Sequence, residues 1–113
     1  MRRLSVLVVL LLTIACNKEV TEPPPPATNT VVASASNQFL PPNAPVATGG
    51  TITWNFLSVA HTVIFEGQPN APDNIDVAVS NTTEARTFTT AGVYTYHCNV
   101  HQNMNGTITV VAP

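Results

Sequence analysis

The stretch Cys98-Asn99-Val100-His101-Gln102-Asn103-Met104 sets a thiol, an imidazole and a thioether three residues apart. A second imidazole, His61, lies 37 residues before Cys98, where a polar segment meets an apolar run. Soft sulfur favours Cu(I) and imidazole suits Cu(II). One Cys and two His in a trigonal set with a weak axial Met is the donor combination of a blue copper electron-transfer site. A coordination geometry between the preferences of the two oxidation states keeps rearrangement small when an electron moves. Each residue alone has a plainer reading: Cys98 as a small buried hydrophobe, His61 at a strand edge, Met104 as core filler. The joint spacing is what points to a metal. His97 alternates with Cys98 and is expected to face away, on the surface. Zinc is the main competing metal, but thioether is a poor zinc donor and structural zinc sites use four Cys or His ligands.

These donors need a scaffold, and the rest of the chain reads as strands. Thr51-Ile52-Thr53-Trp54-Asn55-Phe56 alternates apolar and polar with the period of two that marks a half-buried strand. His61 to Phe65, Ala85 to Thr89, Val93 to Cys98 and Thr107 to Val111 read likewise, and Val31 to Ser36 opens the set. Pro41-Pro42-Asn43, Gly49-Gly50, Ala91-Gly92 and Asn105-Gly106 punctuate them. Gly67 to Asn74 fits a loop or one helical turn. Several short strands with regular turn signals predict an all-β sandwich or barrel. Cys98 ends a strand and a tight loop follows, so the loop donors can turn toward one point. Tyr94 and Tyr96 share the face of Cys98 and are expected in the core beneath it. Asn81-Thr82-Thr83 matches a glycosylation sequon and is read as a loop.

The N-terminus reads as an address. Arg2 and Arg3 precede the apolar run Leu4 to Ala15. That run is well short of the roughly 20 residues a bilayer crossing needs, so it predicts an export signal over residues 1–15. Thr13-Ile14-Ala15-Cys16 resembles a lipobox, with Thr13 where an aliphatic residue is usual, and predicts a lipidated Cys16. Ordinary cleavage nearby or an uncleaved anchor are the alternatives. Residues 16–30 form a tether in which Pro23-Pro24-Pro25-Pro26 favours extended polyproline II at about 3.1 Å per residue. Residues 31–113 are the folded domain. A lipidated Cys16 leaves Cys98 as a lone thiol in an oxidising compartment, which a bound metal would explain.

The segment from Cys98 to Met104 resembles the ligand loop of the cupredoxins, and within them the plastocyanin, pseudoazurin and amicyanin group. The Cys-x-x-His-x-x-Met spacing is the short, amicyanin-like form. Phe39-Leu40-Pro41, Gly50-Thr51-Ile52-Thr53-Trp54, His61-Thr62-Val63-Ile64-Phe65 and Ala91-Gly92-Val93-Tyr94-Thr95-Tyr96 match in order and spacing, so the resemblance covers Phe39 to Val110. It implies a Greek-key β-sandwich of about seven or eight strands that holds one type 1 copper ion. His61, Cys98 and His101 become equatorial ligands and Met104 the axial one. Relatives often carry Pro where this chain has Val100, and Asn where it has Thr62. From these departures the Val100 amide is expected to donate to the Cys98 sulfur and raise the potential. The Thr62 hydroxyl is expected to tie the His61 segment to the region of Asn99.

The reading that follows is a one-electron carrier, not an enzyme. It is lipid-anchored in the bacterial envelope, at the periplasm or cell surface, and monomeric. His101 is the electron's way out, Pro41 and Pro42 lie on the docking rim, and the partners are redox proteins. A copper-delivery or copper-binding lipoprotein is the alternative. A Cys98 nucleophile lacks any sign of an oxyanion site. A metal-free adhesion sandwich leaves the donor set unused. Charged residues are only 9% of the 113, with a formal charge of -2. Without Arg2 and Arg3 no cluster of basic residues is left to bind nucleic acid.

Overall fold

The computed structural model describes residues 29–113, and the leader, Cys16 and nearly all of the tether lie outside them. Nine strands and no helix occur among the described residues: β1 (Thr30–Ala33), β2 (Phe39–Leu40), β3 (Asn43–Ala47), β4 (Thr51–Phe56), β5 (His61–Val63), β6 (Ile75–Val79), β7 (Thr82–Thr87), β8 (Gly92–His97) and β9 (Asn105–Val111). One sheet runs β2-β1-β4-β7 and the other β3-β9-β8, while β5 and β6 form a two-stranded ribbon. β1 lies parallel to β4 and β3 parallel to β9, which are the crossed connections of a Greek-key sandwich.

Alternation decides which side chains meet between the sheets. Ile52, Trp54 and Phe56 of β4 are all buried, as their spacing predicts, and so are Tyr94 and Tyr96 of β8 with Cys98 beyond it. Ile108 and Val110 of β9 close the core from the same sheet. The rings interlock edge to face: Phe39 meets Tyr96 at 4.7 Å, and Trp54 stands at 90° to Tyr96 with centroids 5.4 Å apart. Burial pushes the Tyr96 phenol well above the usual tyrosine range, and the neighbouring Trp54 indole opposes that weakly. Their polar atoms, Trp54 Nε1 and Tyr96 Oη, do not reach hydrogen-bond geometry with any partner.

Three strands escape the sequence pattern. β2 is two residues long. β3 contains Pro45, which reads as punctuation, yet β3 is an edge strand, where a missing N–H is tolerated. In β6 only Ile75 is buried, and Val77 is 72% exposed, so no alternation marks it. Gly67 to Asn74 is a loop with no helical turn. At the other sheet edge Arg86 and Glu84 sit opposite Ile52 and Trp54, on the core-facing side of β7. Arg86 reaches round to the carbonyls of Asp73 and Asn74, which blunts the edge with charge.

The fold has two ends. β1 leads from Asn29, whose carbonyl accepts from Thr53 N, toward Ser34. β9 runs from the loop after Cys98 to Val111, whose carbonyl accepts from Thr48 in the β3–β4 turn. Residues 29 and 111 thus lie at the end opposite Ser34, His61 and the 98–104 loop.

Gly106 pairs with Tyr96 across β8 and β9, and a Cβ there would overlap Tyr96 Cζ and Oη. Tyr96 is ringed by Phe39, Trp54 and Phe65 and cannot yield. Gly106→Ala is expected to destabilise the domain by about 1–3 kcal/mol, the usual cost of overpacking, measured as a lower urea midpoint. A wild-type midpoint would contradict this packing.

Candidate metal centre

His61 opens β5 and is fully buried. Its Nε2 donates to the Ser34 carbonyl at 2.9 Å, a bond that fixes the tautomer and leaves Nδ1 with a bare lone pair. Sequence gave no sign of Ser34, because a backbone carbonyl carries no residue signature. The carbonyl is held by a turn in which Ser34 Oγ accepts from the amides of Ser36 and Gln38. Burial, the main cause, and the nearby His101 both push the His61 pKa below its ordinary value, against the pull of the Ser34 bond.

Cys98 follows directly on β8 and is 3% exposed. The loop after it closes on itself, with Cys98 N donating to Met104 O at 2.9 Å, and β9 resumes at Asn105. That closure brings half-buried His101 back over the sulfur, with Cys98 Sγ 3.5 Å from His101 Nδ1 and 3.9 Å from His61 Nδ1. The two Nδ1 atoms are 3.1 Å apart. Met104 is buried at the end of the loop. His97 is turned away: its side chain pairs with Glu66 at 3.0 Å, at the surface.

Two facing Nδ1 atoms and a sulfur form an acute triangle with sides of 3.1, 3.5 and 3.9 Å. From its three sides, a point equidistant from the donors lies about 2 Å from each. That is close to the length of a metal–imidazole bond, about 2.0–2.1 Å. The residues present therefore fit a single ion. Among the described residues no carboxylate and no further His or Cys joins the group, which suits copper better than structural zinc.

The sulfur's own hydrogen bonds correct one expectation. They come from Thr62, whose amide lies 3.5 Å and hydroxyl 3.7 Å from Cys98 Sγ. Val100 N is not among the donors to that sulfur. The Asn99 amide is taken by Thr62 Oγ1 at 2.9 Å, and the turn there carries Val100 outward to 51% exposure. Val100→Pro thus has no sulfur contact to remove. The Thr62 hydroxyl does tie the two segments: it accepts from Asn99 N and donates to Asn99 Oδ1 at 2.8 Å. With one proton, it favours that short contact over the sulfur.

The sandwich and the donor triangle define a mononuclear blue copper protein. The family model described as copper binding proteins, plastocyanin/azurin family, matches residues 26–111, and the chain belongs to that family, the cupredoxins. Copper is its cofactor. The solved structure of amicyanin from Paracoccus versutus (Thiobacillus versutus) is 26% identical, with a TM-score of 0.65, covering 79% of this chain and 86% of that one. A reduced Trp-to-Tyr variant of amicyanin is 25% identical with a TM-score of 0.64, covering 79% and 87%. An oxidised Met-to-Leu variant is also 25% identical, with a TM-score of 0.62, covering 75% and 83%. No curated protein matches the chain significantly.

The depressed His61 pKa sets a pH dependence for the metal-free chain. A folded-state pKa below the ordinary 6.5 means the native state binds fewer protons than the unfolded one as pH falls past 6.5. The His61 contribution is complete above that pH and is lost below it. Urea midpoints of the metal-free protein are expected to drop between pH 7.5 and pH 5, and His61→Ala to flatten the slope. An equal slope in the variant would assign the dependence elsewhere.

Proposed function

We propose that the protein is a one-electron carrier tethered by lipid on Cys16 to a membrane of the bacterial envelope, in the periplasm or at the cell surface. His61, Cys98, His101 and Met104 would hold the copper ion, two imidazoles with a thiolate and a thioether. The observation that carries the copper-carrier reading is the triangle of His61 Nδ1, Cys98 Sγ and His101 Nδ1, held by contacts that involve no metal. Bound copper supplies the Cu(II)/Cu(I) couple. The protein's part is to hold the donors still. Ser34 fixes one imidazole, Thr62 and Asn99 fix the sulfur's loop, and the Cys98–Met104 backbone bond fixes the rest.

His101, half-buried in the loop, is the route for the electron. Val100, Gln102, Asn103 and Asn105 are exposed beside it in the loop, and exposed Leu40 and Pro42 share a groove with Asn103 and Asn105. The loop residues from Cys98 to Asn105 carry no carboxylate, and Glu66, paired with His97, is the acid that stands beside them. Every charged residue of the domain lies between Glu66 and Arg86, one cation and four anions, for a balance of -3. Contacts with a redox partner are therefore small and wet, and a basic partner is favoured at longer range. The chain enters the fold at the end away from the ligands, so a membrane tether would present the copper end outward. A nucleophilic role for Cys98 is disfavoured, since the sulfur is buried beneath Thr62 and His101.

Full-length protein in detergent, loaded with Cu(II), is expected to show an intense visible sulfur-to-copper charge-transfer band that Cys98→Ser abolishes. A colourless Cu(II) form would overturn the carrier and favour copper delivery. For the tether, cells fed a labelled fatty acid are expected to label the wild-type chain and leave Cys16→Ala unlabelled. Equal labelling of the two would refute the lipid site.

A further inference from the structure

Beyond Val63 the chain keeps company with β8. Ile64 and His97 exchange backbone hydrogen bonds, Ile64 N to His97 O at 2.9 Å and His97 N to Ile64 O at 3.1 Å. Two residues earlier on β8, the N–H and C=O of Thr95 face the same edge, since the groups of i and i+2 share an edge of a strand. A continuing strand would supply their partners. It is not there, because Glu66 and Gly67 take φ of 59° and 68° and turn the chain away.

The side chain of Gln68 fills the gap. Its Oε1 accepts from Thr95 N at 3.0 Å, and its Nε2 donates to Thr95 O and to Phe65 O. Both amide hydrogens and the carbonyl are used, so the carboxamide stands in for one residue of a missing strand. Glu66 adds a contact to the next position through the His97 ring. Phe65 N donates to Asn74 Oδ1 at 2.8 Å and anchors the far end of the loop.

The consequence falls on the ligands. β5 begins with His61, and β8 ends one residue before Cys98. Thr62 joins these segments on the loop side. On the other side the Ile64–His97 bridge and the Gln68–Thr95 pair join them. We propose that Gln68 is a positioning residue for the copper centre: it clamps the strand that carries Cys98 to the strand that carries His61, so that their spacing is set before metal arrives. This rests on His61 and Cys98 being copper ligands. Nothing else in the structure needs a glutamine here, since the side chain is only half-buried and belongs to no apolar cluster.

Gln68→Met keeps the length and apolar stem and removes the three hydrogen bonds. Thr48→Ala serves as control, because its hydroxyl bonds Val111 O at the opposite end of the sandwich. Full-length chains are compared in three measurements: Cu(II) affinity by chelator competition, the copper spin-resonance and optical spectra, and amide exchange of the metal-free chain at Thr95 and His97. Gln68→Met is expected to bind Cu(II) about tenfold more weakly, at the low end of outer-shell losses, with a shifted spectrum. Exchange at Thr95 and His97 is expected to rise about tenfold, because the edge opens locally. Thr48→Ala is expected to leave all three unchanged. Wild-type affinity and spectrum in Gln68→Met, or equal changes in both variants, would overturn the clamp. A wild-type chain that takes up no copper would sink the ligand assignment instead. The clamp would then stand on faster His97 exchange in Gln68→Met and fall on unchanged exchange.

Discussion

One hydroxyl joins two parts of the chain that must stay within about 4 Å of each other. Thr62 Oγ1 accepts from Asn99 N and donates to Asn99 Oδ1, and the Thr62 amide points at the Cys98 sulfur. The segments it joins are 37 residues apart in sequence. Closing so long a loop costs entropy, and a bare thiol set against two imidazole nitrogens returns little by itself. The Thr62 contact is short, polar and part-buried, so it holds the loops in register whether or not an ion is present. Ser34 does the same for the outer face of the His61 ring.

Beneath these contacts the core is aromatic and stiff. Phe39, Trp54, Phe65, Phe88, Tyr94 and Tyr96 form a continuous chain of edge-to-face and tilted contacts from the metal end toward the far end. Two polar atoms in it, Trp54 Nε1 and Tyr96 Oη, are neighbours that miss full hydrogen-bond geometry, so their burial costs some stability. A domain of this size has little margin for that cost. Copper binds the folded state far better than the unfolded chain and adds stability by mass action. The stiffness has a chemical use as well, since rigid walls keep the ligands from relaxing when the charge on the ion changes.

Charge is sparse near this machinery, where Glu66, paired with His97, is the acid beside the ligand loop. Residues 29–65 and 87–113 contain no Asp, Glu, Lys or Arg. The exposed loop residues Val100, Gln102, Asn103 and Asn105 beside His101 are thus uncharged, while Asp73, Asp76 and Glu84 lie on β6, β7 and the loop before them and Glu66 pairs with His97.

The sequence by itself determined the sandwich, the four candidate donors and the role of the short loop. These are local facts: period-two alternation in β4 and β8, turn residues between strands, and three donors at fixed spacing in one loop. The family resemblance added the Thr62 tie, since relatives often carry Asn where this chain has Thr62. Tertiary structure decided the rest. β3 and β6 were hidden because an edge strand accepts a proline and an exposed ribbon needs no alternation. The sulfur's amide donor is Thr62 rather than Val100, because the loop at Asn99 bends one way and not the other, and a choice of loop path leaves no mark on spacing. The Ser34 carbonyl and the Gln68 carboxamide were invisible for a shared reason: each meets a backbone group distant in sequence, and only the folded path of the chain brings such groups together.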